Sequence, residues 1–194
     1  YIYMTAGSVL PVTIHKNQLL FLFGKENDME DSAKGFSDFG GSVENGERIE
    51  DTALREGAEE LTGFLGNEKE LRKHIKSHGG LFKLSHNNYH IHIFYFPYDE
   101  NLPKYYNLNH RFLWERMDKS LLNSTKLFEK IEIQWFSENM IKTRIREFRP
   151  FYQDIVKHIL SKRSKIKRFI QKRQHTRKVQ SSTNDNRFTK KIRD

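Results

Sequence analysis

No cysteine occurs among the 194 residues. That absence excludes a disulfide framework, a thiolate zinc site and a cysteine nucleophile, and it fits a reducing compartment. Long apolar runs are missing as well. The longest candidates, Leu19–Phe23 and Ile91–Phe96, have the length of a strand, far short of the roughly 18 residues a membrane span needs. No signal-peptide pattern is recognisable. These absences lead to the expectation of a soluble, intracellular, cytoplasmic protein with no membrane contact. Hydrophobic residues are also scarce, at 36%. That is low for a wholly compact domain, so part of the chain is expected to lie outside the packed core.

Acidic residues are unevenly placed. The net charge is +9, yet from Lys162 to Asp194 there are 13 Lys and Arg against 2 Asp and Glu, leaving 21 basic and 23 acidic residues in the rest of the chain. A nearly neutral body therefore carries a strongly basic tail. The expected division is a domain over 1–160 and a tail over 161–194, partly helical and then disordered. Lys162, Arg163, Lys165, Lys167, Arg168, Lys172 and Arg173 form a dense cationic stretch. Such a stretch suits a polyanion, most simply RNA or DNA. A nuclear-targeting signal, an acidic protein or membrane partner, or no specific partner are the other readings.

Pattern along the chain alternates between strands and helices. Ser8–Ile14 is β-rich, and its Pro11 predicts an edge or bulged strand. Lys16-Asn17 reads as a hairpin turn leading into the strand Gln18–Phe23. A polar loop over 25–35 precedes the short apolar segment Phe36–Phe39 and Gly40-Gly41. Ala53, Leu54, Ala58 and Leu61 recur at helical spacing, and Gly63 is a plausible stop. A second short helix is expected over Glu68–Ser77, then strands at Leu81–Leu84 and Tyr89–Tyr95. Residues 99–128 read as irregular or partly helical. Ile131–Phe136 is a further strand. Ser137 is positioned to cap a helix, and Pro150 to start another that aligns Phe151, Ile155 and Ile159 on one side and Tyr152, Val156 and Leu160 on the next. The order suggests a mixed α/β or α+β sandwich. No internal repeat is present.

Glu56, Glu59 and Glu60 fall at i, i+3 and i+4, so one helix face carries three carboxylates, with Arg55 beside them. Taken alone, such a triplet is most often a solvated helix face. Its setting is more specific. Gly41 is followed by five residues and Glu47, then seven residues and Arg55-Glu56, then two residues and Glu59-Glu60. This resembles the Nudix box. Two positions depart from that pattern: Gly57 stands where the box has an aliphatic residue, and Leu61-Thr62 put one extra residue before Gly63. An oxygen-only donor set selects a hard cation such as Mg²⁺ or Mn²⁺, which prefers to share its shell with phosphates.

The resemblance implies a Nudix-like α/β/α sandwich with a mixed sheet, a C-terminal helix and the basic tail. It implies Glu56, Glu59 and Glu60 as metal ligands, with a backbone carbonyl from Gly40 or Gly41. Glu47 would pair with Arg55 and hold the loop against the helix. The segment Glu129 to Phe136 is similar to a stretch of mRNA-decapping Nudix enzymes in which a glutamate lies six residues before a tryptophan. By that likeness Glu129 is an extra acid and candidate catalytic base, and Glu132 is the second choice. An ordinary charged strand edge is the alternative. Asp38 departs from the decapping pattern, where a lysine after proline is usual. His90 and His92 share a strand face without an evident third ligand. Tyr89, Phe94, Tyr105, Tyr106 and Trp114 are candidates for stacking on a base, or for the core.

Three readings follow. One is a metal-dependent pyrophosphohydrolase cleaving a nucleoside diphosphate derivative. Another places the diphosphate at a capped RNA 5′ end, with the tail holding the transcript. The third is a catalytically inactive Nudix fold serving as a binding module. The complete carboxylate set argues against the last.

Overall fold

The structure is a computed structural model that describes residues 5–27, 34–118, 120–121 and 129–175. β1 (Ala6–His15) turns through Lys16-Asn17 into β2 (Gln18–Glu26). Both turn residues have positive φ, 46° and 63°, as a two-residue type I′ hairpin requires. β3 (Phe36–Ser37) and β4 (Phe39–Ser42) follow, then β5 (Leu81–His86), β6 (Tyr89–Tyr95) and β7 (Lys130–Ser137). The sheet runs β3-β2-β1-β6-β5, with β4 joined to β1 and β7 to β2. β1 and β6 are parallel and the other pairs antiparallel, so the sheet is mixed. Most of the 25–35 loop expected from the sequence lies outside the described residues.

Side chains alternate between two cores, one on each face of the sheet. Leu19, Phe21 and Phe23 enter one core with Ile91, Ile93 and Phe136. Leu20 and Leu22 enter the other with Val9, Phe94, Ile133 and Trp135. Both faces are covered, which is why Leu19–Phe23 reads as a continuous apolar run. The α/β/α sandwich expected from the sequence is the architecture observed. Pro11, however, does not mark an edge. β1 is central, with β6 on one side and β4 and β2 on the other. On that second side β4 pairs through Val9 and β2 begins at Val12, so Pro11 falls between two partners where a missing N–H interrupts no ladder.

α1 (Ile49–Glu60) and α2 (Glu68–Ser77) lie over the core of Leu20 and Leu22. α2 starts in a capping box, with Asn67 accepting from the Glu70 N–H and the Glu70 side chain reaching back. Gly57 is buried in α1 because a Cβ there would run into Val9 on β1, so the glycine lets helix and sheet meet closely. Thr62 and Gly63 both take positive φ, 48° and 73°, and this pair absorbs the extra residue after the helix ends at Glu60. The region read as irregular or partly helical contains a long helix, α3 (Asn101–Arg116). Its Pro103 sits in the first turn, where no backbone N–H is needed. α3 buries Leu102, Tyr106 and His110, while Tyr105, Leu108 and Phe112 on its far side are about half exposed.

The opposite face carries α4 (Glu138–Thr143), α5 (Tyr152–Ser161) and α6 (residues 163–175). Ser137 caps α4 by accepting from the Met140 N–H. α5 buries Tyr152, Ile155, Val156, Ile159 and Leu160, leaving Phe151 exposed. Composition places the end of the body at residue 160, but Ile166, Phe169 and Ile170 of α6 are buried in the same core as α5. Arg173 donates to the Gly79 carbonyl and Gln174 to that of Ile14. The folded body therefore runs to at least His175, and the remainder of the basic tail lies outside the described residues. Ile170→Ala should lower the free energy of urea unfolding by about 2–5 kcal/mol. A change near zero would mean that α6 does not belong to the core.

Candidate active site

The C-terminal half of α1 lies against β4, and two ion clusters organise the junction. The first is built on Arg55. Its Nε and Nη2 donate to the two oxygens of Glu47, each at 3.0 Å, and Thr52 Oγ1 adds a bond of 2.6 Å to Glu47 Oε2. The Arg55 fork, reinforced by Thr52, lowers the Glu47 carboxyl to about 2. Arg55 Nη1 donates to Glu56 at 2.7 Å and lies 3.8 Å from Glu59. Gly41 faces this group: a Cβ there would come within 2.5 Å of Glu56 Oε1, so the carboxylate in this position lies directly against β4.

The second cluster is built on Lys130, which is 1% exposed. Its ammonium donates to Glu26, to Ser37 Oγ at 3.0 Å and reaches Glu60 Oε1 at 3.2 Å. Arg149 adds a second cation to Glu26 at 2.5 Å. Burial opposes the charge on Lys130, but the carboxylates of Glu60 and Glu26 overcome it and raise its pKa above the ordinary lysine value. Burial pushes the Glu60 carboxyl up. Yet Oε2 accepts from the Gly40 N–H at 2.9 Å and Oε1 faces Lys130, so both oxygens meet donors, the geometry of a carboxylate. Glu129 is half-buried close enough to raise the Glu60 carboxyl further.

Arg55, Glu47, Glu56, Glu59, Gly40 and Gly41 are thus brought together, with Glu60 beside them and Glu129 near Glu60. The three glutamates do not stay one cluster of like charges. Arg55 neutralises one end and Lys130 the other. Among the described residues, no three His, Asp or Glu side chains converge as a set that would hold a metal ion by themselves. Glu60, expected as a ligand, has its two oxygens engaged by Lys130 and Gly40. Glu56, 13% exposed and bonded to Arg55, and Glu59, 33% exposed, stand one turn apart, with Glu56 against the bare backbone of Gly41. An oxygen-donor pair beside a glycine strand suits a hard, hydrated cation that takes the rest of its shell from water or phosphate.

Lys130 and Glu26 escaped the sequence reading. Counting back from Ile133, alternation points Ile131 toward α1 and Lys130 away from it. The β2–β7 register shifts by one residue between Lys25 and Glu26, so that Glu26 stands opposite Lys130. This β-bulge re-aims the lysine toward α1, and no residue type announces it.

Asp38 is a third buried ionisable group at the junction. It accepts from Ser8 Oγ at 2.6 Å and from Tyr89 Oη at 2.5 Å, tying the residue before β4 to β1 and β6. Burial raises its carboxyl to about 6, against the pull of those hydrogen bonds. Of the other candidates, His92 is buried with Nδ1 3.0 Å from the Ser8 carbonyl oxygen, and His90 pairs with Ser85. Phe94 and Tyr106 are core residues, Tyr105 is exposed, and Trp114 lines a cavity beside β7.

No family model matches the chain, and no curated protein does. Solved structures do match. A mutT/nudix family protein from Listeria innocua is 14% identical, with 84% of this chain and 95% of that chain covered and a TM-score of 0.48. The NUDIX domain of Shewanella oneidensis NrtR, complexed with ADP ribose, is 12% identical, with 86% and 90% covered and a TM-score of 0.47. A NUDIX hydrolase from Nitrosomonas europaea is 16% identical, with 81% and 88% covered and a TM-score of 0.38. These neighbours are Nudix proteins. Their distance from this chain is too great to carry an activity across.

Two outcomes test the site's electrostatics. Lys130→Met leaves Glu26 and Glu60 without their shared cation, and it should cost about 3–5 kcal/mol of stability at pH 7. That loss should shrink as the pH falls toward the carboxylate range, because protonation removes the uncompensated charge. A variant as stable as the wild type would remove the lysine from this role. Asp38, with its folded value raised from 3.8 to about 6, contributes stability that is fully present below 3.8 and lost as pH rises through 6, about 3 kcal/mol in all. A carbon-13 titration of its carboxyl should have its midpoint near 6; a midpoint below 4 contradicts the assignment.

Proposed function

We propose that the chain is a Mg²⁺- or Mn²⁺-dependent pyrophosphohydrolase of the Nudix type, splitting the diphosphate linkage of a nucleoside diphosphate derivative. One observation carries the reading. The residues that resemble the Nudix box lie at one junction, where Arg55 clamps Glu47 across the loop and presents Glu56 and Glu59 beside Gly41.

Glu56, Glu59 and the Gly41 carbonyl are the groups that would hold the cation. When bound, the cation offsets phosphate charge and makes a water more acidic. Arg55 acts as a positioning residue, since it fixes Glu56 and Glu47 on either side of the loop. Glu60 holds β4 to α1 through the Gly40 N–H, with Lys130 against its other oxygen. A carboxylate oxygen of Glu129 takes the proton of the water as its oxygen adds to one phosphorus. The bond from that phosphorus to the bridging oxygen breaks, and the bridging oxygen leaves with the other phosphate. The products are a nucleoside monophosphate and a phosphorylated remainder.

A second reading, cleavage at a capped RNA 5′ end, is favoured by α6. Its Lys165, Arg168 and Lys172 are exposed at i, i+3 and i+7 and so form one basic stripe. Lys167 and Arg173, by contrast, donate to the carbonyls of Asn17 and Gly79 and serve the fold.

Glu59→Gln should lower Mg²⁺-dependent hydrolysis by about two orders of magnitude or more, with the melting temperature unchanged. Near-normal turnover would sink the metal-site assignment. Running the wild type on free dinucleotides and on capped RNA at two salt concentrations separates the readings. Cleavage of capped RNA that falls steeply with salt, while dinucleotide cleavage does not, is the outcome expected of an RNA-holding stripe.

A further inference from the structure

Between α3 and β7 lies a cavity of about 530 Å³, lined among the described residues by Trp114, Arg111, His110, Asn27, Ile131 and Glu132 together with Asn107. This is within the size range of small-molecule sites. Its position ties it to the ion cluster. Asn27 follows Glu26 in the chain, and Ile131 follows Lys130. Tyr106, on the same helix, donates from Oη to the carbonyls of both Glu60 and Lys130. The cavity therefore begins one residue away from the groups that organise the candidate active site.

The lining is unusual for a helix that only packs on a strand. Asn107, His110, Arg111 and Trp114 fall at i, i+3, i+4 and i+7, the stripe that α3 turns to this cavity. Among these, His110 has Nδ1 3.0 Å from the Tyr106 carbonyl oxygen and stacks on the Tyr106 ring. Asn107 is used for the fold: it accepts from the Ile133 N–H at 2.8 Å and donates to the Ile133 carbonyl at 3.2 Å, and so fixes the separation of α3 from β7. That strut holds the cavity open. Trp114 supplies a half-buried flat ring, Arg111 an exposed cation, Asn27 a buried amide and Ile131 an apolar wall.

A flat ring, a hydrogen-bonding amide and a cation together match a heteroaromatic base that carries a phosphate. We propose that this cavity is the nucleoside subsite: the base stacks on Trp114, and Arg111 receives the adjoining phosphate. The proposal rests on the diphosphate-hydrolase reading for the direction of the phosphate chain toward α1. The subsite itself needs neither turnover nor a metal.

The test is therefore equilibrium binding to the full chain without divalent metal, by calorimetry, using AMP, GMP, CMP and UMP, with ribose 5-phosphate and inorganic pyrophosphate as controls. The wild type should bind at least one nucleoside monophosphate about tenfold more tightly than ribose 5-phosphate. Trp114→Ala should weaken that nucleotide by about tenfold or more and leave pyrophosphate unchanged, while Trp114→Phe, which keeps a flat ring, should stay within about threefold. Arg111→Ala should weaken the nucleotide but not the free nucleoside. Equal binding of nucleotide and ribose 5-phosphate would overturn the proposal, as would unchanged nucleotide affinity in both Trp114→Ala and Arg111→Ala. Failure here is distinct from failure of the hydrolase reading, which is judged by turnover in Glu59→Gln and would leave these affinities as they stand.

Discussion

The ammonium of Lys130, enclosed with the carboxylates of Glu26 and Glu60, is the interaction on which the site depends. It joins three elements, because Glu26 ends β2, Glu60 ends α1 and Lys130 begins β7. Two buried carboxylates without a cation would repel each other and resist burial, while a buried lysine alone would lose its proton. Together, with Arg149 and the Gly40 N–H at the periphery, each charge has a partner. The C-terminal end of α1 is thereby fastened to the glycine strand. Arg55 does the same work along the rest of the carboxylate face, bonding Glu47 and Glu56 and lying 3.8 Å from Glu59.

Much of this arrangement was legible in the chain. The helical spacing of Ala53, Leu54, Ala58 and Leu61 placed α1 and put Glu56, Glu59 and Glu60 on one face, while the Arg55–Glu47 clamp beside the glycines was implied by the resemblance to the Nudix box. Strand positions were legible because apolar runs and turn residues mark them. What remained hidden depends on register and on long-range packing. The bulge that turns Lys130 inward adds no residue type that differs from an ordinary strand. α3 was obscured by Asn101 and Pro103, turn residues that a helix accepts in its first turn. The end of the body was misplaced because α6 alternates Lys and Arg with Ile166, Phe169 and Ile170, so its apolar stripe is diluted in composition though continuous on one helical face.

Basic residues in this chain serve two ends. Arg55, Lys130 and Arg149 are spent inside, against carboxylates, and Lys167 and Arg173 fasten α6 to turns of the sheet. Lys165, Arg168 and Lys172 lie along the exposed side of the same helix. A single net charge conceals this division. The cations that organise the candidate active site lie apart from this exposed stripe.

Lys130 and Glu26 are 104 residues apart in the chain, and that separation has a kinetic consequence. The hairpin of β1 and β2 closes locally and α1 is built of neighbouring turns, but the shared cation comes only with β7, across a separation of 104 residues. Without β7 in place, Glu26 and Glu60 would lack that cation. A partly folded chain thus lacks the charge that seals the interior, and the candidate active site comes into being together with the completed sheet.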